Sequence, residues 1–328
     1  MALNTERAAM GIAVVIGLGL AAGPAAAYTV YVSNEKGNSI TVLDSATLEV
    51  LETIPVGQRP RGIMLTKDGK HLLICASDED TVQVLDVATR EIVGELPSGP
   101  DPELLNIHPS GSPVYIANED DNLLTAINLA DQKVAAEVEV GVEPEGVGVS
   151  PDGKTVVVTS ETTNMVHFID TGSYEITDNV LVGSRPRFAE FTADGSRLWV
   201  TSEVAGVVTV IDANTRKVIK TIGFAVPGVQ PENIQPVGVR ITKDGSKAFV
   251  ALGPANRVAV IDAKTFEVED YLLVGQRVWQ LAFTPDEARL FVTNGNSNDV
   301  SVIDVPSLKV VKSIPVGTAP WGVAVSQH

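Results

Sequence analysis

Residues 145–186 read EGVGVSPDGKTVVVTSETTNMVHFIDTGSYEITDNVLVGSRP. Four short segments of alternating apolar and polar residues stand out in it: Glu145–Ser150, Thr155–Ser160, Met165–Asp170 and Ile176–Val182. Alternation over stretches this short marks half-buried β-strands. Asp152-Gly153, between the first two, supplies the positive backbone angle of a tight hairpin.

The same unit recurs on both sides. Segments ending in Val-x-Val-Ile-Asp or a close variant finish at Asp44, Asp86, Asn128, Asp170, Asp212, Asp262 and Asp304, in steps of 42 residues apart from one of 50. The Asp-Gly turn recurs at 68/69, 194/195 and 244/245, with Ser110-Gly111 and Asp286-Glu287 as variants. Both series slip at the same place, which locates one insertion within 223–236, Gly223 to Pro236. Four strands per period of about 40–45 residues is the signature of a propeller blade. The repeat therefore predicts an all-β fold, a seven-bladed β-propeller of four-stranded antiparallel blades. Seven units and the insertion account for residues 28–328, so one domain is expected.

The phase of the repeat predicts how the ring closes. The repeat region begins with the second strand of a unit, Thr29 to Asn34, and ends with a first strand, Trp321 to Ser326, which should complete the first blade and remove the open edge. The seven Asp/Asn positions that end the third strands begin Asp-x-x-Thr/Ser turns, as in Asp44 to Thr47, Asp86 to Thr89, Asp212 to Thr215 and Asp262 to Thr265, and a repeated turn residue reads as scaffold.

Ahead of the repeats, MALNTERAAM is followed by an uncharged run from Ala8 to Ala22 and by Ala25-Ala26-Ala27. This order reads as a signal peptide over residues 1–27, cut before Tyr28. Its apolar run is too short to span a bilayer, and no later segment is continuously apolar, so an exported, periplasmic protein with no membrane span after processing is expected. The formal net charge is -17. Phosphate binding needs a basic surface, so nucleic acid is excluded as a partner, while cations and basic protein surfaces are favoured. Cys75 is the single cysteine, which excludes an intramolecular disulfide and reads as a small buried strand residue.

The second strands read Tyr31-Val-Ser-Asn34, Tyr115-Ile-Ala-Asn118, Val157-Val-Thr-Ser160, Trp199-Val-Thr-Ser202 and Phe291-Val-Thr-Asn294, with Val-Gly following at 56/57, 140/141, 182/183, 274/275 and 316/317. These motifs resemble the YVTN family of β-propeller repeat proteins along residues 28–328. The loops Gly-Gln-Arg-Pro-Arg (57–61) and Gly-Ser-Arg-Pro-Arg (183–187) look most like the periplasmic propeller proteins associated with PQQ-dependent catabolism. That resemblance implies a non-enzymatic accessory or binding role beside quinoprotein alcohol oxidation, with a quinoprotein dehydrogenase or cytochrome as partner. Quinoprotein dehydrogenases themselves resemble larger, tryptophan-rich eight-bladed rings, whereas this chain has three tryptophans.

Loops that lead from one unit's outer strand into the next unit's inner strand must surround one mouth of the central channel. The residues flanking the Pro position there are Arg59/Arg61, Asp101/Glu103, Glu143/Glu145, Arg185/Arg187, Gln235/Val237, Arg277/Trp279 and Ala319/Trp321. Arg59, Arg61, Arg185, Arg187 and Arg277 with Trp279 and Trp321 suit a small anionic, PQQ-like ligand, because guanidinium forks match carboxylates and indoles match flat rings. Asp101, Glu103, Glu143 and Glu145 form an acidic arc, joined by Asp78, Glu79, Asp80, Glu119, Asp120, Asp121 and Glu161, that suits calcium or a lanthanide. The bland readings are salt bridges between arc and arginines, and tryptophans that plug the channel. The insertion falls on this face as a candidate lid, and Glu190 with Arg240 should form an ion pair in the channel.

The four histidines, His71, His108, His167 and His328, occupy different positions in the repeat and cannot converge, which argues against copper, haem or a Ser-His-Asp triad. They read as isolated surface or turn residues. The alternatives to an accessory protein are a lactonase-like hydrolase using arc carboxylates as general base, and an envelope or surface-layer interaction module. The protein is expected to act as a monomer.

Overall fold

The computed structural model describes residues 27–326 together with Ala2. The expected signal peptide, apart from Ala2 and Ala27, and His328 lie outside these residues. Among the described residues, seven four-stranded antiparallel sheets form a propeller. Numbered along the chain, the inner strands are Pro320–Val325 for blade 1, then Pro60–Leu65, Pro102–Ile107, Pro144–Val149, Pro186–Phe191, Val239–Ile241 and Val278–Phe283 for blades 2 to 7.

Burial follows the position of each strand in its blade. The second and third strands are covered on both faces, as in Thr155–Ser160 and Met165–Asp170, while the outer strand Ile176–Leu181 is exposed except at Val180. The cores lie between blades. Val157, Val166 and Phe168 of blade 4 pack with Ala189, Phe191, Leu198 and Val200 of blade 5. Each blade buries both faces only because a neighbour stands on each side, so ring closure is a condition of the fold.

Closure occurs as the repeat phase requires. Inner strand Pro320–Val325 pairs antiparallel with Thr29–Asn34 in the register Val30↔Val325, Tyr31↔Ala324 and Val32↔Val323. The periodic aspartates serve turns. Asp44 Oδ1 accepts the N–H groups of Ala46 and Thr47 at 2.8 and 2.7 Å, and Asp86, Asp170, Asp212 and Asp262 do the same. These backbone bonds hold all five carboxyls below the usual carboxylate range.

The Val-Gly motif also has a physical cause. The N–H of Gly57, Gly141, Gly275 and Gly317 is received by the third-strand side chains Gln83, His167, Ser301 and Thr41. A Cβ at Gly141 would collide with Thr163 and Ser160. This corrects the expectation for His167: it is buried in the blade, where its Nε2 accepts from Gly141 at 2.9 Å. His71 and His108 lie apart from it, and His108 sits in an inter-blade turn against Gly153. Cys75 is fully buried.

The insertion differs from the lid expected. Val226 and Ile234 are buried with Trp199, Val208, Ile222 and Val239, so the loop is a bracket packed on blades 5 and 6. No helix among the described residues is long and apolar enough to cross a membrane.

Candidate functional site

The mouth is built by a repeated backbone device. Arg59, Asp101, Glu143, Arg185, Arg277 and Ala319, each just ahead of an inner strand, have φ between 50° and 57°. Left-handed backbone costs a non-glycine residue about 1–2 kcal/mol, so something must hold it. The N–H groups of these six residues donate to the side chains of Asn38, Asp80, Asn122, Asn164, Asn256 and Asn298 at 2.8–3.1 Å. Those clamps sit on the hairpins between second and third strands and are themselves left-handed, a conformation Asn and Asp tolerate. Their recurrence at the repeat spacing is visible in the sequence, although the motif reading above did not single them out.

On this platform the arginines and carboxylates interlock. Arg59 pairs with Asp101, with Asp78 at 2.7 Å and with Glu103 at 3.3 Å; Arg61 reaches Glu103 at 2.6 Å and Glu35 at 3.8 Å. On the other flank, Arg187 pairs with Glu161, lies 2.9 Å from Glu145 and 3.7 Å from Glu203, and Arg185 reaches Glu161 at 2.7 Å. Arg277 joins Glu203 at 2.8 Å and Gln235 of the insertion at 2.6 Å. All five guanidiniums thus already face a carboxylate, and the acidic arc and the arginine set form one network. Glu35 and Glu203 belong to it beside Glu119 and Glu161; all four occupy one register position, the residue after the second strand.

The electrostatics are those of a buried network. Burial works against the charge on Arg61 and Arg187, but Glu103 and Glu145 with the other carboxylates outweigh it and raise both guanidinium pKa values. Burial likewise pushes Glu103 well above the carboxylate range, raises Asp101 and Glu119, and lifts Glu161 to about 7, where Glu145 adds repulsion that Arg187 and Arg185 only partly offset.

A pH dependence follows with a definite sign. Between the ordinary value of 4.5 and about 7, folded Glu161 holds a proton that the unfolded chain has released. Stability should therefore fall as pH rises through that window, by at most about 1.4 kcal/mol per pH unit for one proton. Below it the turn aspartates act oppositely: their stabilisation is lost as pH falls through their depressed values, about 2 for Asp244. Thermal melts of chelator-treated protein should peak near pH 4–5, and Glu161→Gln should flatten the decline above the peak.

The tryptophans sit beneath the charges. Trp279 and Trp321 have ring centroids 6.3 Å apart, with Arg277 4.2 Å above Trp279 and Arg61 4.7 Å above Trp321. Trp321 is fully buried and Trp279 half-buried. Trp321 also lines a channel cavity of about 350 Å³, with Met64, Leu105, Phe188, Gln280 and the pair Glu190–Arg240. That pair forms as expected, at 2.8 Å, with the Ile241 N–H adding a second bond to Glu190. The carboxylates divide into two compact groups: oxygens of Asp101, Glu103 and Glu119 lie within 4.8 Å of one another, and so do those of Glu119, Glu143 and Glu161. Glu145 belongs to neither, being turned to Arg187.

Residues 15–104 match the family model of a YNCE-like β-propeller, and residues 122–284 match that of the choice-of-anchor I domain. The chain is a β-propeller repeat protein. No curated protein matches it at a significant level. Among solved structures, this propeller is similar to Kuenenia stuttgartiensis hydrazine synthase, with a TM-score of 0.78 and 23% identity over 84% of this chain and 92% of that one. It is also similar to a putative 6-phosphogluconolactonase from Bacteroides fragilis NCTC 9343, with a TM-score of 0.76 and 17% identity over 93% and 99%. A third similar fold is dihydro-heme d1 dehydrogenase NirN in complex with DHE, with a TM-score of 0.67 and 18% identity over 90% and 74%. At such identities the likeness carries the fold alone.

Proposed function

We propose that this propeller is an exported, non-enzymatic accessory protein of PQQ-dependent alcohol oxidation that docks a basic periplasmic redox protein, a quinoprotein dehydrogenase or cytochrome, on its mouth. The observation that carries the docking mode is the pairing of every mouth arginine with a carboxylate. With the guanidiniums neutralised internally, the charge left facing solvent on the hairpins of blades 2 and 3 is that of Glu79, Asp80 and Asp120, all exposed, together with Asp78, which Arg59 takes up on one side while 54% of its side chain stays in solvent. Such a patch on a chain of net charge -17 steers a basic partner and makes association salt-dependent. The loops 57–61 and 183–187 supply the link to PQQ-dependent catabolism.

A hydrolase is less well supported. Glu161 has the pKa of a general base, yet its side chain is only 2% exposed and is held by two arginines. A small anionic ligand retains one half-exposed seat, Arg277 over Trp279.

Association with a basic cytochrome and with a quinoprotein dehydrogenase should be measured at two ionic strengths. We expect the association rate to fall roughly tenfold or more between about 20 and 200 mM salt, and to fall similarly when Asp78, Glu79, Asp80 and Asp120 are replaced by Asn or Gln. Salt-independent binding, or none, would remove the docking reading. A melt raised by quinone carboxylates and lost in Arg277→Ala would put a small ligand in its place, and turnover of a lactone panel would put an enzyme there.

A further inference from the structure

The pairing of the mouth charges leaves a remainder. Nine carboxylates take part, those of Glu35, Asp78, Asp101, Glu103, Glu119, Glu143, Glu145, Glu161 and Glu203, against five guanidiniums. The shortfall is concentrated in blade 3. Glu103 is fully buried, and its Oε1 takes both Arg61 and Arg59, but its Oε2 is buried with no N–H or hydroxyl donor, and the Glu119 carboxyl stands within hydrogen-bond reach of the Glu103 side chain. A buried carboxyl oxygen with no donor facing it is costly, so such an atom marks a place where a cation or a proton belongs. Beside it stands Glu119, which among the described residues has no Lys, Arg or His within ion-pair distance. Asp101 gives Oδ1 to Arg59 and is fixed by its left-handed backbone and the Asp80 clamp.

We propose that Asp101, Glu103 and Glu119 form a binding site for a hard cation of calcium size, with Glu143 as the next oxygen donor across the blade boundary. Only oxygen is offered, which selects calcium-like or lanthanide ions over softer transition metals. The spacing fits: two oxygens on opposite sides of an ion with bonds of 2.3–2.6 Å stand about 4.6–5.2 Å apart, and those of this triad lie within 4.8 Å. Magnesium demands near-octahedral geometry with bonds of about 2.0–2.1 Å and gives up its waters reluctantly, so a cluster of side-chain carboxylates suits it less well. Arg59 and Arg61 hold Asp101 Oδ1 and Glu103 Oε1, which leaves Asp101 Oδ2 and Glu103 Oε2 for the ion. The ion would tie the loop entering blade 3 to the hairpin of the same blade, independently of any protein partner.

The test uses the full chain after chelator treatment and dialysis, titrated with calcium, magnesium and terbium. Calorimetry should give one calcium site with magnesium at least tenfold weaker. Terbium should show tryptophan-sensitised emission, since Trp321 stacks on the Arg61 that holds Glu103. Glu119→Gln and Asp101→Asn, close in shape to the native residues, should each weaken calcium and terbium binding at least tenfold with unchanged circular dichroism, while Glu267→Gln, exposed on the opposite face, should leave both unchanged. Absence of heat, of emission and of any rise in melting temperature would overturn the site. So would calcium binding that survives Glu119→Gln, or a Glu119→Gln variant that is more stable than the wild type while neither binds an ion, because a proton shared by Glu103 and Glu119 would then fill the gap.

Discussion

A chain ended at Thr318 should fail to fold cooperatively. The missing strand Pro320–Val325 is the inner strand of blade 1, and without it Thr29–Asn34 becomes an open edge facing the channel. The strand also joins three blades: the Thr293 hydroxyl of blade 7 donates to the Trp321 carbonyl at 2.7 Å, and the Gly322 N–H donates to Ser33 of blade 1 at 2.8 Å while packing on the Arg61 carbonyl of blade 2. Truncating one buried Trp costs about 3–5 kcal/mol. Val323 and Val325 add about 1.5–3 kcal/mol each, so the loss approaches the whole 5–15 kcal/mol stability of an ordinary domain. We expect an insoluble product or a broad, non-sigmoidal melt by circular dichroism, partly repaired by a synthetic peptide of residues 318–328 supplied in trans as a strand. Trp321→Ala alone should fold and melt earlier. A truncated chain melting like the full one would mean that side-chain packing closes the ring without strand pairing.

That closure could be read from the sequence because turn chemistry is local. Asp-Gly and Asp-x-x-Thr bond to their own backbone, so they repeat wherever the blade repeats, and their phase dates the first and last strands. The mouth was legible only as a set of positions. Arg61 and Glu103 stand one period apart, as do Glu145 and Arg187, and side chains at equivalent positions of adjacent blades meet across the boundary. Sorting residues blade by blade therefore separated charges that the fold brings together. Glu203 shares the register of Glu119 and Glu161 but stands outside any locally acidic run, and only the fold brings it to Arg187 and Arg277. His167 misled for a similar reason. Its counterparts Thr41, Gln83, Thr125, Thr209 and Ser301 are all buried, so the position looks inward whatever residue fills it.

Arg187→Met should destabilise the folded protein by about 3–5 kcal/mol, roughly 5–10 °C in melting temperature, although it replaces a charge with an apolar side chain of similar length. The reason is what it leaves behind. Glu145 and Glu161 of blade 4 and Glu203 of blade 5 have side chains only 2%, 2% and 6% exposed, and all three converge on this guanidinium. Removing one partner of a buried ion cluster leaves the others uncompensated, whereas removing charges in balance does not. Arg187→Met/Glu161→Gln should therefore recover part of the loss, a positive coupling measurable by a double-mutant cycle. Acid should act like the second mutation: lowering pH through about 7 protonates Glu161, so the deficit of Arg187→Met narrows as pH falls. Arg187→Lys keeps the charge but not the fork, and one ammonium cannot span carboxylates of two blades, so less than half of the stability should return. If Arg187→Met melted with the wild type at every pH, protons rather than guanidinium would already neutralise the centre of the mouth. The seating of charge there would then depend on Glu161 and its neighbours alone.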